Sequence, residues 1–599
     1  MADPVSLYPP PRSTRVGSDH LNRADRHYVV FPPGASDPLI DTVMRFCELH
    51  DLAPTAKAPE SAVLATLQTA RLAAQHYQID ITQDGITIRG GDDAGLAYGL
   101  ATLSQLLISH GTFLPCLTIE DGPDFKHRGV MLDISRCKVP TLDTLKSLID
   151  VLADLKYNQV QLYTEHTFAF SEHPLVWADA SPLTPADILA LRRYCASRFI
   201  DLVPNLNSFG HFERWLRYPE YHDIAECPDG FTHPLTGGFV EIGSTLHPSR
   251  ASLALLRSLY DEYLPLFESR FFNVGGDEPW ELGEGRSRKR CEKEGKTNVY
   301  IDFLAKIQVE AEKRGRQMMF WSDIVLKEPA SLKRLSRDLI ALNWGYEANH
   351  PFRTECEQVA RQRIPFYVCP GTSSWNSLTG RIANARGNLA RAAKEGHAHG
   401  AEGYLVTDWG DHGHHQYLPI SYPGFLMGAC NAWNVRRGKN IDVADGLARF
   451  FFGDLATAEW LLDLGDAESM VHTPIRNATL FNRLLFWRRE HAPKVAAKVT
   501  TEALYGCLDH LGELRERLTE LDPAVEADLL LAEFRNAGDL AAHGLRRLIE
   551  FRGDGFSATG LREELRPLIG RHEQLWLARN RPGGLRESTG HLHRALDAI

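Results

Sequence analysis

Between residues 125 and 438, short apolar β-like runs alternate eight times with segments of helical periodicity, and no other feature of the 599-residue chain restricts its fold so tightly. The strand-like runs fall at 130–134, 159–163, 201–206, 271–274, 318–321, 339–344, 366–369 and 403–407, with helices expected between them at 142–155, 185–198, 250–267, 298–314 and 352–363. Consecutive parallel strands need a crossover, usually a helix, so eight such units predict an α/β chain built as a (β/α)8 TIM barrel with enlarged loops. An open doubly wound sheet is the competing reading. It ordinarily has fewer strands and a glycine-rich nucleotide loop, and the chain contains neither a G-x-G-x-x-G after a strand nor a Walker loop.

Two flanking regions follow from the pattern. Residues 1–25 are rich in Pro, Ser, Arg and Asp without periodicity and are expected to be a flexible leader. Residues 26–124 combine a hairpin, 78–82 and 86–89 around Gln83-Asp84-Gly85, with a helix carrying Leu96, Leu100, Leu103 and Leu106, which predicts a small α/β domain. From 439 to 599 the chain turns Leu-, Ala-, Arg- and Glu-rich and predicts a helical C-terminal region with solvated, charge-laced faces.

Composition removes several classes of function. A formal net charge of −11 argues against a nonspecific nucleic-acid binder, which needs a basic field. No apolar run approaches the ~20 residues that span a bilayer, and the N-terminus lacks a basic-then-apolar signal, so a membrane partner is not expected and the cytoplasm is the expected location. The ten cysteines are scattered without a C-x-x-C pair and read as reduced thiols.

In a barrel of this kind, chemistry gathers where strands end. Asp133-Ile134-Ser135-Arg136 follows the first strand, Glu165-His166 the second, Asn207 to His211 the third and Gly275-Gly276-Asp277-Glu278 the fourth. The fifth, sixth and eighth end in Trp321-Ser322-Asp323, Trp344-Gly345 and Trp409-Gly410-Asp411, and the seventh leads to Trp375. A carboxylate pair among indoles suits a glycoside: indole faces stack on sugar C–H faces, and a carboxyl in apolar surroundings keeps a proton for the leaving oxygen. Plainer roles stand beside these. Asp277 could cap a helix begun at Pro279, the two glycines could serve only a turn, His211 could be structural, and Arg128 could pair with Asp133. The run Asp411-His412-Gly413-His414-His415 offers metal-ligand types, but the first strand brings no histidine, so no metal is expected and the run reads as a polar loop wall.

The segments 127–136 (HRGVMLDISR), 208–211 (SFGH) and 273–278 (NVGGDE) together resemble glycoside hydrolase family 20, the β-N-acetylhexosaminidases, in a divergent, intracellular-type branch. The resemblance covers roughly 26–435 and includes the upstream Ile86 strand and the helix around Leu96. It implies retaining, substrate-assisted cleavage without a cofactor, releasing terminal GlcNAc or GalNAc from small glycosides or oligosaccharides. It casts Glu278 as general acid and base and Asp277 as the group that orients the substrate's acetamido N–H. Arg128 is implied to grip the outer hydroxyls, His211 to support the acids, Trp321, Trp344 and Trp409 to form the pocket, and Asp411 to reach the distal hydroxyls. Glu165 and His166 stand where other members carry a Trp-His and aspartate arrangement, and the seventh strand end lacks the tyrosine that binds the acetamido oxygen. Tyr346, Tyr404 and Trp375 are the candidates for that contact. The alternatives are a family 20 fold acting on another aminosugar or modified glycoside, and a non-catalytic sugar-binding protein. A homodimer whose neighbouring loop completes the pocket is the partner arrangement to consider.

Overall fold

The computed structural model describes residues 5–234, 236–471, 473–488 and 497–599. Its first sheet holds β1 (Ser13–Asn22), β2 (Tyr28–Val30), β3 (Ala53–Thr55), β4 (Val63–Thr69), β5 (Tyr77–Thr82), β6 (Gly85–Gly90) and β7 (Phe113–Asp121), ordered β1-β7-β5-β6-β4-β2-β3. The alternation in β5 and β6 turns Ile79, Ile81, Ile86 and Ile88 inward, where they meet Leu96, Leu100 and Leu103 of the helix Asp93–His110. The Asp92 carboxylate starts that helix by accepting the Gly95 N–H at 2.8 Å.

The expected flexible leader is folded. Its residues 13–22 form β1, antiparallel to β7 with Ser13 opposite Glu120 and Asn22 opposite Phe113. As an edge strand with mostly exposed side chains, β1 lacks the apolar alternation that marks a buried strand. Upstream of it Tyr8 is buried and donates its hydroxyl to Asp445 at 2.8 Å.

The second sheet is the barrel. Its parallel strands are β8 (His127–Asp133), β9 (Gln159–Tyr163), β10 (Asp201–Val203), β13 (Phe271–Asn273), β14 (Gln317–Trp321), β15 (Ile340–Trp344), β16 (Phe366–Cys369) and β17 (Gly403–Asp408). A small hairpin of β11 (Phe231–Thr232) and β12 (Phe239–Val240) sits in the loop after β10. The order β10-β9-β8-β17-β16-β15-β14-β13 is closed by a parallel bridge from Asn205 to Asn273. Met131, Val203, Phe271, Met319, Ile340, Leu342 and Leu405 fill the interior. Gln161 Oε1 accepts from Asn205 at 3.1 Å and Asn273 at 3.0 Å, tying three strands where the barrel closes.

Helices Leu455–Asp466, Thr501–Arg517, Ala527–Phe551, Ala558–Arg579 and Leu585–Asp597 form the C-terminal region. They reach the barrel through polar contacts: the Asn536 amide donates to Tyr417 Oη at 2.7 Å, and the backbone N–H of Thr141 donates to the Arg579 carbonyl at 2.9 Å. Among the described residues no helix is long and apolar enough to cross a membrane. All ten cysteines are free thiols.

Candidate active site

β13 delivers the two acids. Beyond Asn273 the chain turns through Gly275 and Gly276 at φ 68° and 88°, and a Cβ on Gly275 would lie 1.8 Å from Asn207 Oδ1. The turn is pinned by Gly275 N–H donating to Asn273 Oδ1 at 3.0 Å and by Tyr300 Oη donating to the Gly276 carbonyl at 2.8 Å. No helix starts at Pro279, the next being Arg288–Glu294, so Asp277 is not a helix cap. Glu278 is itself left-handed at φ 48° and His211 at φ 58°. For residues with a Cβ these are strained conformations, of the kind held in place at functional sites.

His211 Nε2 lies 3.2 Å from Asp277 Oδ2 and 3.9 Å from Glu278 Oε2. Burial works against a charged imidazole, but the Asp277 carboxylate outweighs it and raises the His211 pKa to about 10. Burial also raises the Glu278 pKa; His211 opposes that rise and the Asp277 charge adds to it. Asp277 Oδ1 is buried without a hydrogen-bond partner among the described residues. The ligand-type atoms of His211, Asp277 and Glu278 lie within 4.8 Å of one another, close enough to share a cation or a proton.

Arg136 occupies the place that the resemblance gave to Arg128. Its guanidinium lies 3.2 Å from Asp133 and 3.3 Å from Glu165, and stands over the rings of Tyr163 at 4.6 Å and Trp409 at 5.1 Å. Asp133 is fixed in turn by the backbone N–H of Ser135, Arg136 and Gly410. Glu165 also accepts from Tyr163 Oη at 2.9 Å, and burial lifts its pKa to about 7 despite Arg136.

Arg128 is at the opposite end of β8 and only 1% exposed. It donates to the Lys156 and Phe125 carbonyls at 2.9 Å each and to Tyr98 Oη at 3.1 Å, and packs over Trp433. It joins the barrel floor to the N-terminal domain and cannot reach a sugar at the mouth, nor does it pair with Asp133.

The structure brings the strand-end aromatic rings together. Trp409 meets Tyr163 edge-on at 4.7 Å and Trp321 at 6.1 Å, while Trp344 stacks on Tyr346 at 5.1 Å and Trp375 meets Tyr346 edge-on at 5.0 Å. Trp409 Nε1 donates to Tyr346 Oη at 2.8 Å, and the Thr407 hydroxyl is a second hydrogen-bond partner of that phenol. Tyr404 is spent on the Leu389 carbonyl at 2.9 Å. The Thr372 and Ser374 hydroxyls after β16 donate to Asp408 at 2.6 and 2.7 Å. Trp375 is fully buried with an Nε1 that has no hydrogen-bond partner among the described residues, and Asp411 is half-buried two residues past Trp409. Asp323, unassigned from the sequence, is a third acid here; burial and the Asp277 charge raise its pKa to about 8.

His166 does not join this group: it is 6% exposed and lines a separate cavity with Arg214, Arg217 and Arg586. Nor does the Asp411 to His415 run gather ligands. His415 Nε2 lies 3.0 Å from the Ser588 carbonyl and so faces the C-terminal helices.

The family model described as the glycosyl hydrolase family 20 catalytic domain matches residues 125–375, and that described as family 20 domain 2 matches 5–122. The chain belongs to glycoside hydrolase family 20. Family 20 relatives include a beta-hexosaminidase of Akkermansia muciniphila, 28% identical over 43% of this chain and 57% of its own length. A lacto-N-biosidase of Bifidobacterium bifidum is 25% identical over 51% of this chain and 27% of its own. The chain thus spans between about a quarter and just over half of these two relatives. Among solved structures, a Flavobacterium johnsoniae chitobiase matches with a TM-score of 0.61 at 18% identity, over 96% of this chain and 99% of that one. A Bacteroides fragilis beta-N-acetylhexosaminidase matches at 0.59 and 19%, over 72% and 90%. These likenesses establish the (β/α)8 fold.

Proposed function

We propose that the chain is a retaining exo-β-N-acetylhexosaminidase that releases terminal GlcNAc or GalNAc from small glycosides or oligosaccharides by substrate-assisted catalysis. One observation carries the reading: His211 engages Asp277 through Oδ2 and leaves Oδ1 buried and unmatched, beside an acid whose proton is held by burial. A buried, partnerless carboxylate oxygen is costly unless a ligand donor arrives. The acetamido N–H of the substrate is such a donor.

Asp277 then turns the acetamido oxygen toward C1. As that oxygen bonds to C1, the C1–O bond to the leaving group breaks and Glu278 gives the departing oxygen its proton. The cationic oxazolinium is stabilised by the Asp277 charge, and its ring lies against the Trp321, Trp344 and Trp409 wall. Water next attacks C1, Glu278 takes its proton, and the acetamido group is restored. Tyr346, with its hydroxyl oxygen already served by Trp409, is the donor for the acetamido oxygen in place of a β16 tyrosine. Arg136 and Asp411 face the sugar hydroxyls, and Glu165 holds Arg136 in place. The unpaired cysteines fit a reducing compartment such as the cytoplasm.

Glu278→Gln should lower kcat/KM on unactivated glycosides by ~10²–10⁴-fold, the range of general acid catalysis, and by less on 4-nitrophenyl glycosides, whose leaving group needs no proton. A plain β-glucoside without the acetamido group should be inert in the wild type. Equal turnover of glucoside and N-acetylglucosaminide, or a fully active Glu278→Gln enzyme, overturns the assignment.

A further inference from the structure

The segment that carries Asp277 and Glu278 carries another acid three residues on. Glu281 is fully buried and reaches across to the loop after β10, on the far side of β12. Its carboxylate accepts the backbone N–H of Ser244 and that of Thr245, the latter at 3.2 Å. It also accepts both hydroxyls, Thr245 Oγ1 and, at 3.3 Å, Ser244 Oγ. A buried carboxylate only accepts and is costly when unmatched, so donors converging on both oxygens suit it. Gly243 permits the close approach: a Cβ there would lie 3.0 Å from Glu281 Oε1 and 3.1 Å from the Cys227 carbonyl oxygen.

The gripped residues hold the turn that presents His211. The Phe212 N–H donates to the Ser244 carbonyl at 2.8 Å and the Leu246 N–H to the Phe209 carbonyl at 2.9 Å. Gly210 and His211 are thus bracketed by backbone bonds to the two neighbours of Thr245. The left-handed φ of 58° at His211 persists only where the surroundings over-determine it, and this bracket does so. The charged groups facing the ring come from other strand ends: Asp277 and Glu278 past β13, Arg136 at 3.4 Å, Glu165 at 4.0 Å and Asp411 past β17. Those groups set the charge on the imidazole, whereas the bracket sets where it stands.

We propose that Glu281 is a positioning residue: by clamping Ser244 and Thr245 to the segment that carries both acids, it fixes the separation of His211 from Asp277 and Glu278. The kinetic consequences rest on the glycosidase reading above. The chain of contacts runs from Glu278 along the backbone to Glu281, through Ser244 to Phe212, and closes at the 3.2 Å contact of His211 with Asp277. Glu226 supplies the comparison. It is equally buried and stitches the same two segments farther from the acids, accepting from Ser287 Oγ at 2.6 Å and from the N–H of Ser287 and Gly285 at 2.9 and 3.2 Å, with His247 Nδ1 at 3.0 Å. A merely structural stitch would make the two glutamates equivalent.

Glu281→Gln keeps the side chain's shape but turns one acceptor into a donor that faces donors. On unactivated N-acetylhexosaminides kcat should fall ~10–100-fold with KM near wild type, the scale of an ångström-sized misplacement. The alkaline limb of kcat/KM should move to higher pH, as in His211→Asn, because Glu278 loses the nearby cation. In a His211→Asn background the same change should cost little further rate, since residues that act through one another are not additive. Thr245→Val, which removes a single hydroxyl, should move the limb the same way by less, and it decides the matter if Glu281→Gln does not fold. Glu226→Gln should lower the denaturant midpoint and leave the limb in place. A limb unmoved in the clamp variants, or a rate loss that adds fully to that of His211→Asn, overturns the proposal. NMR titration of histidine-labelled protein reads the clamp without turnover, the His211 signal being the one lost in His211→Asn. Its pKa, raised by Asp277 to about 10, should fall in Glu281→Gln, and an unchanged value overturns the proposal. If no N-acetylhexosaminide is hydrolysed, the glycosidase reading has failed, while that titration still decides the clamp.

Discussion

The charge on His211 sets how the two acids divide their work. It is stabilised by Asp277 at 3.2 Å and lies 3.9 Å from Glu278, whose pKa it holds down against burial. Glu278 must be protonated to serve as acid, so activity on unactivated glycosides should fall as pH rises through its raised pKa. His211→Asn removes the cation, which lets the Glu278 pKa climb further. The alkaline limb of the kcat/KM profile should therefore move to higher pH while its maximum drops, because Asp277 has lost a partner. A purely structural histidine would lower the maximum and leave the limb where it was. The same scale shows what one sequence reveals. Asp277, Glu278, His211 and the indoles stand out in the sequence by their place at strand ends, and the structure brings them together. Arg128 and Arg136 lie in one short segment, and the resemblance pointed to the wrong one. The rule that chemistry sits past the carboxyl end of a strand favours Arg136, since Arg128 opens β8 and Arg136 follows its end.

At the scale of elements, the site depends on two loops touching backbone to backbone. Gly210 follows β10, and a Cβ there would lie 2.4 Å from the Asp277 carbonyl oxygen, which has no flexible side chain to yield. Gly210→Ala should displace the end of β13, costing about 1–3 kcal/mol of stability as overpacking does, and should lower kcat more than stability alone explains. The control is Gly512→Ala, in the helix Thr501–Arg517, where an added Cβ meets nothing within 4 Å. There the change should stabilise by ~0.5–1 kcal/mol with activity intact. Denaturant titration and initial rates on both variants check the pair. Elements differed in legibility for the same physical reason: the barrel strands, buried on both faces, read as continuous apolar runs. By contrast β1 is exposed along most of its length and so reads like a leader, and the two-residue strands β11 and β12 are too short to show a period.

Over the whole molecule, the C-terminal helices back the loop that carries Trp409 and Asp411. Ser588 donates its hydroxyl to the Gly413 carbonyl at 2.5 Å, and Lys138, just past β8, donates to the Gln416 carbonyl at 2.7 Å. Behind them the Arg579 guanidinium is gripped by Glu533 at 2.8 and 3.1 Å, and the Arg579 carbonyl accepts from Thr144 Oγ1 at 2.8 Å. The sequence marked these helices as charge-laced and solvated, because periodicity cannot tell which charges 46 residues apart will meet inside. Glu533 is 1% exposed, whereas Glu526, which pairs with the same arginine at 2.8 Å, has a half-exposed side chain. Removing Glu533 leaves Arg579 with only the exposed Glu526 to pair with, so Glu533→Gln should destabilise by as much as about 3–5 kcal/mol, the cost of breaking a buried pair. The exposed pairing is screened by water, so Glu526→Gln should cost no more than ~1 kcal/mol. Melting and denaturant titration of the two variants should therefore separate clearly, and rates at low temperature should stay near wild type in the second. Equal, small losses in both would mean that Arg579 stays satisfied by backbone and water, and that the C-terminal region backs the barrel by apolar packing alone.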